Sequence, residues 1–283
     1  MSRIEDCGHW RLVAAALAVF VALTGFVGIA EAQELPPDVR EGWNAYIAEN
    51  DRQVAADRAA SNAFLPQFIY DSEDALRCRA EVKAGEVCIQ KIVLVRNGRY
   101  PFEVEDALVH HWIGSIFVPG VTLDETLAFI KSYSGYPQYF EEVVDARVLE
   151  EDGNRLHTFL KLKRTKIVTV QYNTEHDVTF MRHSPTRASS RSVATKIREL
   201  DRAGTPQERE MEFGDDHGFL WRLDANWYYE EVDGGVILEA EVISLSRSIP
   251  FGLGWVVGPF VDSIPRESLE ATLTTLRDVI SQR

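Results

Sequence analysis

From about Ala107 onward the chain reads as one strand, two short helical stretches, a long run of β-hairpins and a single closing helix. A hairpin-built sheet hides its apolar face only against a second layer, and here that layer must be the helix that arrives last. A strongly curved antiparallel sheet wrapped around one helix encloses more volume than its inward side chains fill. The order of elements therefore predicts an α+β container for an apolar molecule.

Strand alternation assigns the inner face. Phe219, Trp221, Leu223, Ala225, Trp227 and Tyr229 share one side of the sixth hairpin strand, and Arg222, Asp224, Asn226 and Glu230 share the other. The same parity groups Leu156, Thr158, Leu160 and Leu162, then Val168, Val170, Tyr172, His176, Val178 and Phe180, then Leu238, Ala240, Val242 and Ser244. Each strand is expected to keep one wet face, the pattern of a sheet covered on one side only. Asp-Gly turns at Asp152-Gly153 and Asp233-Gly234 join successive strands.

Pro119-Gly120 ends the first strand, and Thr122 with Glu125 forms a capping-box pattern ahead of the Leu123, Leu127 and Ile130 stripe. Phe251-Gly252-Leu253-Gly254-Trp255 reads as a glycine-rich apolar loop, after which Pro265, near a first turn, opens the closing helix to about Ser281. Leu269, Leu273, Leu276 and Ile280 form its apolar stripe. A helix of about 20 residues is roughly 30 Å long and crosses a sheet end to end. Trp255, Phe251 and Phe260 are placed to gate a portal or dip into a membrane, or else to plug the end of the core.

The first 32 residues stand apart. Arg3 and Arg11 precede an apolar run from Leu12 to Val27, and Ala30-Glu31-Ala32 matches a signal-peptidase site, so residues 1–32 read as a signal peptide cut between Ala32 and Gln33. The alternative is an uncleaved anchor, since Leu12 to Ile29 could just span a bilayer. Export to a periplasmic or extracellular location fits the cysteines: Cys7 leaves with the signal, and Cys78 and Cys88 remain as a lone pair expected to form a disulfide, two buried thiols being the other reading. Residues 33–85 make an N-terminal helical extension with Trp43, Ile47 and Val54 at roughly helical spacing, expected to pack on the outside of the main domain, a mobile linker being the alternative, and running into the Cys78/Cys88 loop. Residues 86–283 form the main domain, led by an additional hairpin with an Asn97-Gly98 turn.

The chain carries a net charge of −14; two of its 30 basic and three of its 44 acidic residues lie in 1–32, leaving −13. Such a surface repels nucleic acid, which is not an expected partner. Lys161, Lys163, Arg164 and Lys166 are a local basic exception, read as a solvated strand edge or, secondarily, a docking patch for anionic membrane.

Several stretches resemble the START-like, or SRPBCC, superfamily, and in particular a secreted bacterial branch of it. They are His110-His111-Trp112-Ile113-Gly114, Phe117-Val118-Pro119-Gly120-Val121, Tyr136-Pro137-Gln138-Tyr139-Phe140, Asp216-His217-Gly218-Phe219-Leu220-Trp221-Arg222-Leu223, and Ile249-Pro250-Phe251-Gly252-Leu253-Gly254-Trp255. The resemblance runs from about Ala107 to Arg283 and implies a helix-grip fold with a cavity for lipids, sterols, polyketides or other apolar molecules. It implies no single activity, since carriers, cyclases and sensors share the fold.

Chemistry candidates are weighed against ordinary structural roles. His110 and His111 are adjacent on a strand and point to opposite faces, so only one can reach a cavity. His176 falls on the apolar face, Asp215-Asp216-His217 reads as a cap or turn ahead of a carboxylate-oriented base, and no spacing announces zinc, a serine-nucleophile elbow or a dinucleotide loop. No catalytic residue, metal or cofactor is assigned. The expected ligand contacts are Tyr172, His176, Phe180, Trp221, Leu223, Trp227, Tyr229, Leu238 and Val242 from the sheet, Trp255 from the loop, and Leu269, Leu273 and Leu276 from the helix, with Thr158, His176, Thr195 and Ser244 as polar anchors. The expected partner is a hydrophobic small molecule or lipid, with transient membrane contact. An enzyme using His176 or His111 as general base, and an envelope scaffold with a collapsed cavity, are the alternatives.

Overall fold

The computed structural model describes residues 35–61, 63–69, 73–96, 100–166, 168–248 and 254–282, with backbone alone for 96 and 254–262. The expected signal segment, the Asn97-Gly98 turn and Phe251 lie outside these residues. Helix α1 spans Pro37–Ala60, a 3-10 turn spans Pro66–Phe68, and α2 spans Glu73–Lys83. Strand β1 is Cys88–Lys91, and β2 (Val95–Arg96) with β3 (Tyr100–Pro101) makes a small separate hairpin. The long β4 (Ala107–Pro119) leads to α3 (Leu123–Ile130), whose N-terminus is closed by the expected Thr122–Glu125 capping box, and a second 3-10 turn follows at Tyr133–Gln138. Strands β5 (Val143–Asp152), β6 (Arg155–Thr165), β7 (Thr169–Ser184), β8 (Arg187–Asp201), β9 (Arg209–Glu210), β10 (Arg222–Val232) and β11 (Gly235–Arg247) then precede α4 (Gly254–Ile280).

One antiparallel sheet runs β1-β4-β11-β10-β8-β7-β6-β5, with β9 paired to β8. Both Asp-Gly turns close hairpins as expected, with Gly153 and Gly234 at φ +59 and +84. The main core fills the space between sheet and α4: Tyr229, Leu238, Ala240 and Leu273 are fully buried there, with Leu269, Leu276 and Ile280 beside them.

How tightly the sheet curls is read from two consecutive helix residues. Ser268 donates to the Glu142 carboxylate at the β5 edge (3.1 Å), whereas Leu269 packs over Gly114 of β4. Five strands separate β5 from β4 in the sheet. Both ends therefore reach the same helix within one turn, and the architecture is the helix grip.

Two expectations are corrected. Helix α4 begins at Gly254, so Pro265 lies well inside it rather than opening it, and the backbones of Trp255 and Phe260 are helical rather than part of a loop. The sheet is also not covered on one side only. On its outer face, helix α1 buries Val39, Trp43 and Tyr46 against Ile243, Leu245 and Trp221, and the first 3-10 turn with its flanks buries Phe64 and Leu65 against Tyr228. The outer face of β5 to β8 stays wet, carrying pairs such as His157 with Asp177 and Lys196 with Glu210.

Cys78 on α2 and Cys88 on β1 form the expected disulfide, with Cα atoms 5.3 Å apart. Among the described residues no helix is long and apolar enough to cross a membrane.

Candidate functional site

Register places the inner-face side chains in rows across the sheet. One row reads Leu156, Val178, Ser192, Ala225, Val242 and Trp112 from β6 to β4. In the next, Thr158 faces His176 and then Ala194, while Leu223 faces Ser244 and then His110. Beyond it come Leu160, Thr174 and Ile197, and then Leu162, Tyr172 and Glu199.

Toward the hairpin ends at Gly234 and Gly153 the inner face is sealed. Phe180, Tyr229, Leu238 and Ile116 pack there under α3, the second 3-10 turn and the C-terminal half of α4. Toward the other end the rows stay partly open: Leu160, Leu162, Ile197, Leu223 and Val242 keep partial solvent access on interior strands, as does Trp227 in the row of Phe180. Mid-sheet apolar residues that keep solvent access on the inner face mark a partly open recess on the sheet beside the sealed core.

A polar band crosses this recess. His176 is almost fully buried, its Nε2 2.9 Å from Thr174 Oγ1 and its Nδ1 3.4 Å from Ser192 Oγ. Thr174 gives its one hydroxyl proton to the Leu160 carbonyl (3.0 Å), so it accepts from His176, which fixes the proton on Nε2 and leaves Nδ1 as an acceptor. Burial pushes the His176 imidazole down to about 4, so it is neutral at pH 7. Across the sheet, His110 Nε2 lies 2.9 Å from Ser246 Oγ.

The structure brings His176, Leu223, Trp227 and Val242 together at the recess, with Thr158 and Ser244 in the polar band. Tyr172 lies on the same face near its rim. Phe180, Tyr229, Leu238, Leu269, Leu273 and Leu276 belong to the sealed core beside it. Trp221 does not join them: regular strand starts only at Arg222, and the Trp221 ring packs in the α1 cluster against Phe213, 5.2 Å away. Thr195 is the extra residue of a bulge in β8, exposed and donating to the Glu175 carbonyl. The Trp255 side chain lies outside the described residues.

The other histidines serve elsewhere. His111 is buried on the outer face, its Nδ1 2.9 Å from the Tyr46 hydroxyl and its Nε2 3.0 Å from Glu241. The carboxylate that orients His217 is Glu199, not Asp215 or Asp216; it accepts from both the Nδ1 and the backbone N–H of His217. Of the basic residues read as a solvated strand edge or a membrane-docking patch, Lys161 pairs with Glu208, Lys166 with Glu267, and Arg164 with Glu142 and Glu267. A separate open cleft of about 400 Å³ lies beside α2 and β1, but Arg77 and Arg266 on its wall already pair with Asp74 and Glu270.

What sequence reasoning missed is the second polar assembly, buried under α1. Glu241 accepts from Asn50 (3.1 Å), Asn226 (2.9 Å) and His111, while Glu239 accepts from the Gln67 backbone (3.2 Å) and Ser115 (3.0 Å). The available signal was His111 and Ser115 recurring at period two on β4 beside Glu239 and Glu241 on β11.

Among solved structures the chain is similar to the STAR-related lipid transfer protein from Xanthomonas axonopodis, at 14% identity, covering 66% of this chain and 98% of that one with a TM-score of 0.42. It is also similar to the Zhui aromatase/cyclase from Streptomyces sp. R1128 (12% identity, 62% and 96% coverage, TM-score 0.41) and to human STARD10 (10% identity, 73% and 80% coverage, TM-score 0.41). No protein-family model and no curated protein matches the sequence.

Proposed function

We propose that this chain is an exported, non-catalytic binding or transfer protein for a hydrophobic small molecule, a lipid by class, held between the sheet and α4. The observation that carries this is the partly open inner face around Trp227, Val242 and Leu223, beside a sealed core that supports it. Burying roughly 300 Å² of ligand apolar surface contributes on the order of 7 kcal/mol before association costs, enough for a carrier. Export is supported by the buried Cys78–Cys88 disulfide, which persists in an oxidising compartment, together with the signal-like residues 1–32.

A general-base enzyme has less support. His176 is backed by a threonine hydroxyl rather than a carboxylate and is a weak base, whereas His111, which has a carboxylate, lies on the opposite face. The test is expression of the full chain in a bacterial host, followed by native mass spectrometry and solvent extraction of the purified protein. A co-purifying apolar molecule released on denaturation and a mature N-terminus at Gln33 are expected. A protein that retains nothing and takes up no apolar probe overturns the binding reading, and an intact Met1 in the membrane fraction overturns the cleavage.

A further inference from the structure

The chemistry of the polar band narrows what the recess can hold. From β6 to β4, the two rows through Ser192 and His176 contain no Asp, Glu, Lys or Arg among the described residues. The nearest charges in register are Glu151 on β5 and Lys91 on β1, both exposed on edge strands. Arg164, farther along β6, is held by Glu142 and Glu267. Residues 249–262, ahead of the described α4 side chains, contain one charged residue in sequence, Asp262, and no Lys or Arg. A carboxylate or phosphate entering the band would lose its hydration with no Lys or Arg among the described residues of the two rows from β6 to β4 to receive it.

The band instead asks for a donor. With the proton of His176 fixed on Nε2 by Thr174, its Nδ1 is an acceptor, and Ser192 Oγ stands a long 3.4 Å away. If Ser192 gives its proton to Nδ1, its own oxygen is left as an acceptor. If Ser192 keeps its proton, Nδ1 takes a donor and the serine O–H needs an acceptor, and one ligand hydroxyl supplies both. We infer that the recess takes an uncharged apolar alcohol, whose hydroxyl donates to the His176–Ser192 pair while its hydrocarbon body lies against Leu223, Trp227 and Val242. The inference rests on the binding reading above.

Three probes of equal chain length separate the two: dodecan-1-ol, dodecanoate and methyl dodecanoate, titrated into the purified, delipidated full protein at pH 7.5 with tryptophan fluorescence as readout. The alcohol is expected to bind about ten-fold more tightly than the carboxylate, and more tightly than the ester, which brings no donor. His176→Leu should erase the advantage of the alcohol over the ester and leave ester binding in place. Ser192→Ala, a milder change, should reduce that advantage several-fold and serves if His176→Leu does not fold. Equal affinities for the three probes, or a preference for the carboxylate, overturn the alcohol inference and leave the binding reading standing. No binding of any probe overturns the binding reading itself.

Discussion

His111 on β4 and Glu241 on β11 stand 3.0 Å apart and are 1% and 3% exposed, with the Tyr46 hydroxyl of α1 closing the chain at the other imidazole nitrogen. Burial alone would raise the Glu241 carboxyl, but its bonds from His111, Asn226 and Asn50 outweigh that and hold it below the usual carboxylate range. Glu241→Ala strands three buried donors at once. A loss of about 3 kcal/mol is expected in chemical denaturation, and Glu241→Gln should lose less.

Two residues away, Glu239 behaves oppositely. Burial pushes it up to about 8, only partly countered by the Gln67 backbone and Ser115, and the Glu241 charge adds to the rise. A carboxyl raised in the folded state binds its proton more tightly there than in the unfolded chain. Its stabilisation is full below the unfolded value near 4.5 and is lost as pH rises toward 8. Denaturation midpoints should fall across that window, and Glu239→Gln should flatten the slope; an unchanged slope in the variant would remove Glu239 as the cause.

The two strand histidines should titrate in opposite directions. His176, lowered to about 4 by burial, should show a flat NMR ring-proton shift from pH 8 to pH 5. It costs stability as pH falls from 6.5 toward 4, where the unfolded chain takes the proton first. His157, raised chiefly by its hydrogen bond to Asp177, should titrate above the ordinary histidine value, and what it contributes is lost as pH rises through that higher midpoint.

Gly114 marks the closest approach of β4 to α4. A Cβ there would lie 2.9 Å from Leu273 Cδ1 and 3.1 Å from Ile89 Cγ1, with Leu269 at 3.3 Å. Leucine ends can shift for one methyl, so Gly114→Ala should cost about 1 kcal/mol. Gly114→Val, with branches on both sides, should cost about 3 kcal/mol, comparable to Leu273→Ala.

Hydrophobic alternation was enough to place Leu223, Trp227 and Tyr229 on the inner face, and the Leu269, Leu273 and Leu276 spacing was enough to match them with the closing helix. It failed at Trp221 because the strand had not yet begun: Gly218 turns the chain at φ +73, and Trp221 follows the turn rather than the pleat. It failed again on the outer face, where Asp224 and Asn226 read as solvent-facing. Asp224 is buried against Arg191 (2.8 Å), and Asn226, partly buried, donates to Glu241 (2.9 Å). Polarity in a strand reports that a side chain needs partners and does not say whether water or another side chain supplies them. The start of α4 was missed for a related reason, since Pro265 resembles a first-turn residue wherever the upstream glycines suggest a loop.

The two flanks of α4 are fastened by different physics. Toward β5 and β6 the contacts are ionic and hydroxyl, running from Glu142, Arg164 and Lys166 to Glu267 and Ser268; toward β4 they are hydrocarbon, Leu269 and Leu273 over Gly114. Salt screens the first kind and does not weaken the second in the same way, kosmotropic salts even strengthening it. The same sheet therefore meets its closing helix along one seam that ionic conditions can loosen and another that they cannot.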